Sequence, residues 1–225
     1  MLDTVAILVD GGFYTRRAKH LWGERSAEES AAILHRYCTS HLKHKENGDS
    51  VRDQLYRIFY YDCPPMDRVV YHPLLQTNIP LRKHPLYAWM STFQDELRSK
   101  RKVALRLGRL SDNDIGYTLP ISLIKKLCNG SLSVNDLNET DFILNVRQKG
   151  VDMRIGLDIA SMAYKKQVSK IILIAGDSDF VPAAKLARRE GIDFVLDPMG
   201  NPINSDLNEH IDGILTPRFD PDREK

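Results

Sequence analysis

Two apolar runs in this chain end abruptly on acids, and that pairing constrains the fold more than any other feature. Val5-Ala6-Ile7-Leu8-Val9 stops on Asp10-Gly11-Gly12, and Ile171 to Ala175 stops on Gly176-Asp177-Ser178-Asp179. Short apolar runs rich in β-branched residues and bounded by glycine read as strands buried on both faces. Such strands belong to a sheet covered by helices, and the acids that end them mark one edge of that sheet.

The rest of the chain alternates in the same way. Gly11-Gly12 turn the chain into a helix over about 13–22, and a second helix is expected over about 26–45. Ser26 is its N-cap and Glu29 completes a capping box, with a buried stripe of Ile33, Leu34, Tyr37, Cys38 and Leu42. A strand follows over 54–61 and ends on Asp62. Residues 72–85 are interrupted by proline and read as a loop, 86–100 as a helix and 102–110 as a strand. Residues 111–141 read as an insertion, after which 142–146 is expected to pair back on the preceding strand. Helix 151–166, strand 170–175, helix 180–190, strand 192–196, a short helix over 205–210 and a final apolar pair, Ile214-Leu215, complete the body. Strands that alternate with helices predict an α/β fold, its mostly parallel sheet covered on both faces.

At 225 residues the chain is long enough to bury a full core. Its 42% hydrophobic and 28% charged residues are those of a soluble globular protein, no apolar run approaches membrane-spanning length, and no signal peptide is evident. The expected location is cytoplasmic. Cys38, Cys63 and Cys128 are far apart and read as reduced thiols, and His41 and His44 as solvated helix surface. Net charge is only +2, yet basic residues are grouped at 16–19, 98–102, 165–166 and 185–189. Around an acidic edge they would suit phosphates.

In a parallel α/β sheet every strand enters its helix at the carboxyl edge, and ligands bind in the crevice there. Asp10, Asp62, Asp177 and Asp179 end strands, and Asp152 begins a helix whose buried row would be Ile155, Gly156, Ile159 and Ala163. Asp152 shares that row and should look toward the sheet. Asp10, Asp152 and Asp177 can then share one pocket. Close carboxylates repel unless cations or protons intervene, and oxygen-only donors favour Mg²⁺ or Mn²⁺ over zinc. Such ions would activate water and steady the charge of phosphodiester cleavage, while Gly11, Gly12 and Gly176 would let backbone approach ions and phosphate. Plainer roles exist: Asp152 is a favourable charge at a helix N-terminus, and Ser178 or Asp179 an N-cap. Asp158 lies on a different helix face, and Asp62 and Asp197 suit structural or substrate-side roles.

At these residues the sequence resembles the NYN domains of the LabA-like type, a branch of the PIN-like nuclease fold. The matching motifs are ILVDGGF (7–13), YYDCPP (60–65), QKGVDMRIGLDIASMA (148–163) and ILIAGDSDFVPAAKLARREG (172–191), which together frame most of the chain. The resemblance implies a three-layer α/β/α PIN-like domain over residues 1–217, with an insertion at about 111–141 and a polar tail over 218–225. It also implies a metal-dependent ribonuclease, read here as an endoribonuclease. Its catalytic and metal-binding centre would fall on Asp10, Asp152, Asp177 and Asp179, with Mg²⁺ or Mn²⁺ as cofactor and RNA as partner. Gly11, Gly12, Arg16, Arg17, Lys149, Arg154 and Ser178 are the candidate substrate contacts. Many relatives carry Asn shortly after the first Asp, where this chain has Gly11-Gly12-Phe13.

Two rival accounts differ in class. One is a non-catalytic RNA- or nucleotide-binding regulatory module using the same pocket, as a homo-oligomer or with a regulatory protein partner. The other is a phosphatase, which the absence of a DxD arrangement at Asp10 disfavours.

Overall fold

The computed structural model describes residues 3–46, 48–111, 115–146 and 148–223. Residues 112–114 of the expected insertion and 224–225 of the expected tail lie outside them. The central sheet has six strands: β1 (Thr4–Asp10), β2 (Gln54–Asp62), β3 (Val103–Leu107), β4 (Lys170–Ile174), β5 (Asp193–Asp197) and β6 (Gly213–Ile214). Every neighbouring pair is parallel, in the order β6-β5-β4-β1-β2-β3.

That order explains the apolar runs. β1 lies between β2 and β4, and Val5 to Val9 are each 0% exposed. Alternate side chains enter opposite layers. Ile7 and Val9 pack with Tyr14, Leu34 and Phe93 from α1 (Gly11–Trp22), α2 (Ala27–Ser40) and α3 (Pro85–Ser99). Ala6 and Leu8 pack with Ile155, Ile159 and Ala184. These come from α5 (Val151–Tyr164) and α6 (Val181–Arg189) on the other face. The result is a three-layer α/β/α architecture with a parallel central sheet.

Several local expectations need correction. α2 begins as expected, with Ser26 and Glu29 forming the capping box, but ends at Ser40. The polar run Lys43–Glu46 instead pairs antiparallel with Asp49–Arg52, a hairpin closed where the Asp53 N–H donates to the Leu42 carbonyl at 2.8 Å. No apolar row holds residues 43–46 to the helix. Residues 72–85 are not simply a loop: Val69–His72 and Thr77–Pro80 form a second hairpin, with Pro80 at a strand end where its missing N–H is tolerated.

The segment Ile143–Asn145 pairs with Gly116–Thr118 inside the expected insertion, not with the strand before it. Gln148–Lys149, further along the chain, make the return pairing, on Arg109–Leu110. The insertion also carries α4 (Ile121–Cys128), none of whose residues is buried. His72 anchors this region, its ring 4.4 Å from that of Tyr117 and 5.1 Å from that of Phe142. A short α7 (Ser205–Glu209) precedes β6. Among the described residues no helix is long and apolar enough to cross a membrane.

Candidate active site

The chain builds β1-β2-β3 outward on one side of β1 and β4-β5-β6 on the other. The sheet order therefore reverses between β1 and β4, and the crevice beyond the carboxyl ends of those strands is where α/β sheets bind ligands. Asp10 is the last residue of β1, and Asp177 follows β4 by three residues. α5 runs back toward the start of β4, so its first turn, with Asp152, lies at the same edge.

Asp10 is half-buried and caps α1: its Oδ1 accepts the Phe13 backbone N–H at 3.1 Å. Burial raises its pKa, the Phe13 hydrogen bond opposes that, and the Asp152 and Asp62 charges push it further up while Arg16 pulls it down. Asp152 is also raised, first by partial shielding of its carboxyl from water and then by repulsion from Asp177 and Asp179. The four carboxylates thus lie within electrostatic reach in one chain of repulsions, although they come from three distant segments.

They do not close into a tight cage. Among the described residues, the trio of possible ligand groups lying within 4.8 Å of one another is Asp206, Glu209 and His210. Asp152, expected to face the sheet, is instead exposed, as are Asp177 and Asp179. Val151, one turn before Ile155, takes the buried place in the first turn of α5, and Asp152 is rotated off that stripe toward solvent. Exposed carboxylates on short side chains can reorient around an ion. All-oxygen donors at this loose spacing fit Mg²⁺ or Mn²⁺, because Mg²⁺ keeps several waters and takes only one or two carboxylates.

Asp177, rather than Ser178 or Asp179, caps the turn Ser178–Phe180, accepting the Asp179 N–H at 3.1 Å. The glycines have packing reasons of their own. A Cβ on Gly11 would lie 2.5 Å from the Tyr60 hydroxyl and 2.7 Å from the Tyr61 carbonyl, and one on Gly176 would lie 2.6 Å from Phe13 Cε2. Gly12 is less crowded, with Asp10 Oδ1 at 3.5 Å from such a Cβ and Arg16 at 3.9 Å.

The candidate phosphate contacts divide. Arg16 is exposed, beside Gly12, and acts on Asp10. Lys149 is exposed in the strand pair leading into α5. Arg17 is half-buried and donates to the Met199 carbonyl at 2.8 Å, and Arg154 donates to the Leu107 carbonyl at 3.1 Å. Both are already engaged by backbone. The other basic groups, at 98–102, 165–166 and 185–189, lie where helices end before β3, β4 and β5. That is the amino edge, opposite the acids, where the helix dipole favours cations.

Sequence reasoning gave no role to Gln148, whose amide donates to Asp62 Oδ1 at 2.8 Å beside Gly12. Asp62 itself is buried and satisfied by Tyr60 at 2.9 Å and the Cys63 N–H at 2.7 Å, so it props the floor of the site. Asp158 accepts Tyr61 at 2.8 Å and Arg106 at 2.9 Å, which ties α5 to the sheet. Asp197 is fully buried and accepts Tyr37, His41, Thr216 and the Met199 N–H. His41, expected on the surface, is therefore a core residue drawn in by a carboxylate distant in sequence.

No curated protein matches the chain. A crystal structure of a protein of unknown function from Vibrio parahaemolyticus is similar at 14% identity, with a TM-score of 0.47, covering 95% of this chain and 92% of its own. The family model of the NYN domain matches residues 122–206, a segment that begins inside the expected insertion and carries Asp152, Asp177 and Asp179. That match, over fewer than half of the residues, supports a place for this chain in the NYN/PIN-like nuclease superfamily.

Proposed function

We propose that this chain is a Mg²⁺- or Mn²⁺-dependent endoribonuclease of the LabA-like branch of NYN domains, hydrolysing RNA at the edge where Asp10, Asp152, Asp177 and Asp179 gather. The observation that carries this reading is the convergence of those carboxylates at the crevice where the sheet order reverses, where loss of solvent first and the charge of neighbouring acids second raise the pKa of Asp10 and of Asp152. A stable fold tolerates such repulsion where a cation relieves it.

Asp10, Asp152 and Asp177 would hold the metal, and Asp179 would add a ligand or orient water. When bound, a divalent ion supplies Lewis acidity and lowers the pKa of water. The chain's own residues do the rest. Arg16 and Lys149 hold substrate phosphates at the rim, and Gln148 and Asp62 fix the floor beside Gly12. The Phe13 N–H keeps the Asp10 carboxylate aimed at the crevice.

The test is RNA cleavage by purified protein with Mn²⁺ or with EDTA, beside the Asp177→Asn variant. Cleavage that needs metal and fails in the variant supports the reading. Cleavage by fully active Asp177→Asn protein, free of contaminating nuclease, removes it. A non-catalytic RNA-binding module is the second reading. It is favoured by Phe13, whose ring packs against Gly176 where many relatives of the resembled family place a polar Asn near the acids. Metal-independent RNA binding without any cleavage would select it.

A further inference from the structure

A cavity of about 520 Å³ lies between α1 and the start of α3, within the range of about 300–1,000 Å³ common for small-ligand sites. Its walls are mostly aromatic and aliphatic: Tyr14, Trp22, Ile33, Trp89 and Phe93. Trp89 stacks on Phe93 at 5.0 Å and is pinned by its indole N–H, which donates to the Arg25 carbonyl at 3.0 Å. Trp22 is braced edge-on against Tyr37 at 5.3 Å. Both tryptophans remain half-exposed, so rigid aromatic surface is left open to solvent.

Charge identifies the occupant. Three basic residues line the cavity, but Lys19 pairs with Glu24, and Arg25 with Asp222 at 2.9 Å. Arg16 has no ion pair or hydrogen bond among the described residues, and it also faces Asp10. Among the described residues, a cation without an ion-pair partner therefore stands between the acidic edge and an aromatic chamber. Single-stranded nucleic acid presents that alternation: a phosphate for the cation, then a base whose flat face stacks on aromatic rings.

We propose that this cavity holds an unpaired base of the RNA substrate, stacked on Trp89 or Trp22, with Arg16 gripping the phosphate that joins it to the acidic centre. The chain would then favour single-stranded RNA, because a paired base must first be unpaired and flipped out of its helix before it can enter. The inference takes its ligand from the ribonuclease reading, but its geometry is independent of metal.

The chain has two tryptophans and both line the cavity, so intrinsic fluorescence reports its occupancy. The experiment titrates Asp177→Asn protein with a single-stranded RNA of about eight nucleotides, within the site sizes of single-strand binders, and with the same sequence as a duplex. Saturable quenching by the single strand alone is expected. Trp89→Leu should weaken binding about tenfold while Trp89→Phe retains it. Should Trp89→Leu fail to fold by circular dichroism, exposed Arg16→Gln decides. It should lower the slope of log affinity against log salt by about 0.7.

Quenching without metal-dependent cleavage by the wild-type protein would keep the base site and overturn the nuclease reading. Metal-dependent cleavage with unquenched fluorescence, and with KM unchanged in Trp89→Leu, would overturn the base site and leave the nuclease. Equal quenching by duplex, or an apolar dye that fills the cavity and is not displaced by RNA, would also overturn it.

Discussion

The Phe13 backbone N–H donates to Asp10 Oδ1 at 3.1 Å, so one carboxylate both caps α1 and faces the acidic crevice. The two roles separate by substitution. Asp10→Asn keeps an oxygen acceptor for the cap and loses the charge, while Asp10→Ala loses both. The Ala variant should be less stable than the Asn variant by about 1 kcal/mol, or roughly 2–4 °C in Tm for a chain of this size. Neither should cleave RNA. Thermal melts beside a cleavage assay check both statements.

The raised carboxyls make a prediction about pH. A carboxyl whose folded pKa is raised favours the folded state below its ordinary value, and that contribution is lost as pH rises through the raised pKa. Asp152 is raised by partial shielding from water and by the charges of Asp177 and Asp179. At neutral pH without metal, Asp152→Asn should therefore melt slightly higher than wild type, and the two should converge in acid. Added Mg²⁺ should raise the wild-type Tm more than that of the variant.

The architecture was legible where local signals agree with packing. β1 and β4 are apolar throughout because neighbours flank them on both sides, and Ser26 with Glu29 marked the start of α2. What stayed hidden depends on distant partners. His41 looked solvated because nothing near it in sequence announces Asp197, which takes its Nε2 at 2.9 Å. Lys43–Glu46 continued a helix-compatible sequence, and only Asp49–Arg52 makes it a strand. Asp152 looked like part of the apolar row of α5, but Val151 takes the buried place in the first turn and leaves Asp152 to solvent. The gathering of Asp10 with Asp177 could be anticipated from strand ends, whereas the side-chain spacing could not.

Asp197 and His41 form a fully buried pair at 2.9 Å. Burial opposes ionisation of Asp197, but hydrogen bonds from His41, Thr216 and Tyr37, with the charge of His41, bring its pKa below the ordinary value. Its contribution is present above the unfolded carboxyl pKa and is lost as pH falls through the lowered one. His41→Ala leaves the carboxylate without its partner and should cost about 3–5 kcal/mol. Urea denaturation checks this, and cleavage per folded molecule should be unchanged.

Gly11→Ala places a methyl group against Tyr60 and the Tyr61 carbonyl, and backbone cannot yield as a side chain can. It should destabilise by about 1–3 kcal/mol. For Gly176→Ala the nearest atoms are those of the Phe13 ring, a side chain rather than backbone, and the substitution should cost less. Chemical denaturation of the two variants tests the order.

The most direct measurement is calorimetric titration of Mn²⁺ into wild-type protein and into Asp10→Asn, Asp152→Asn, Asp177→Asn and Asp206→Asn. Binding that is weakened strongly by each of the first three and unchanged by the fourth is the expected result. Unchanged affinity in Asp177→Asn, or a loss confined to Asp206→Asn, would contradict a shared cation site at the β1–β4 edge.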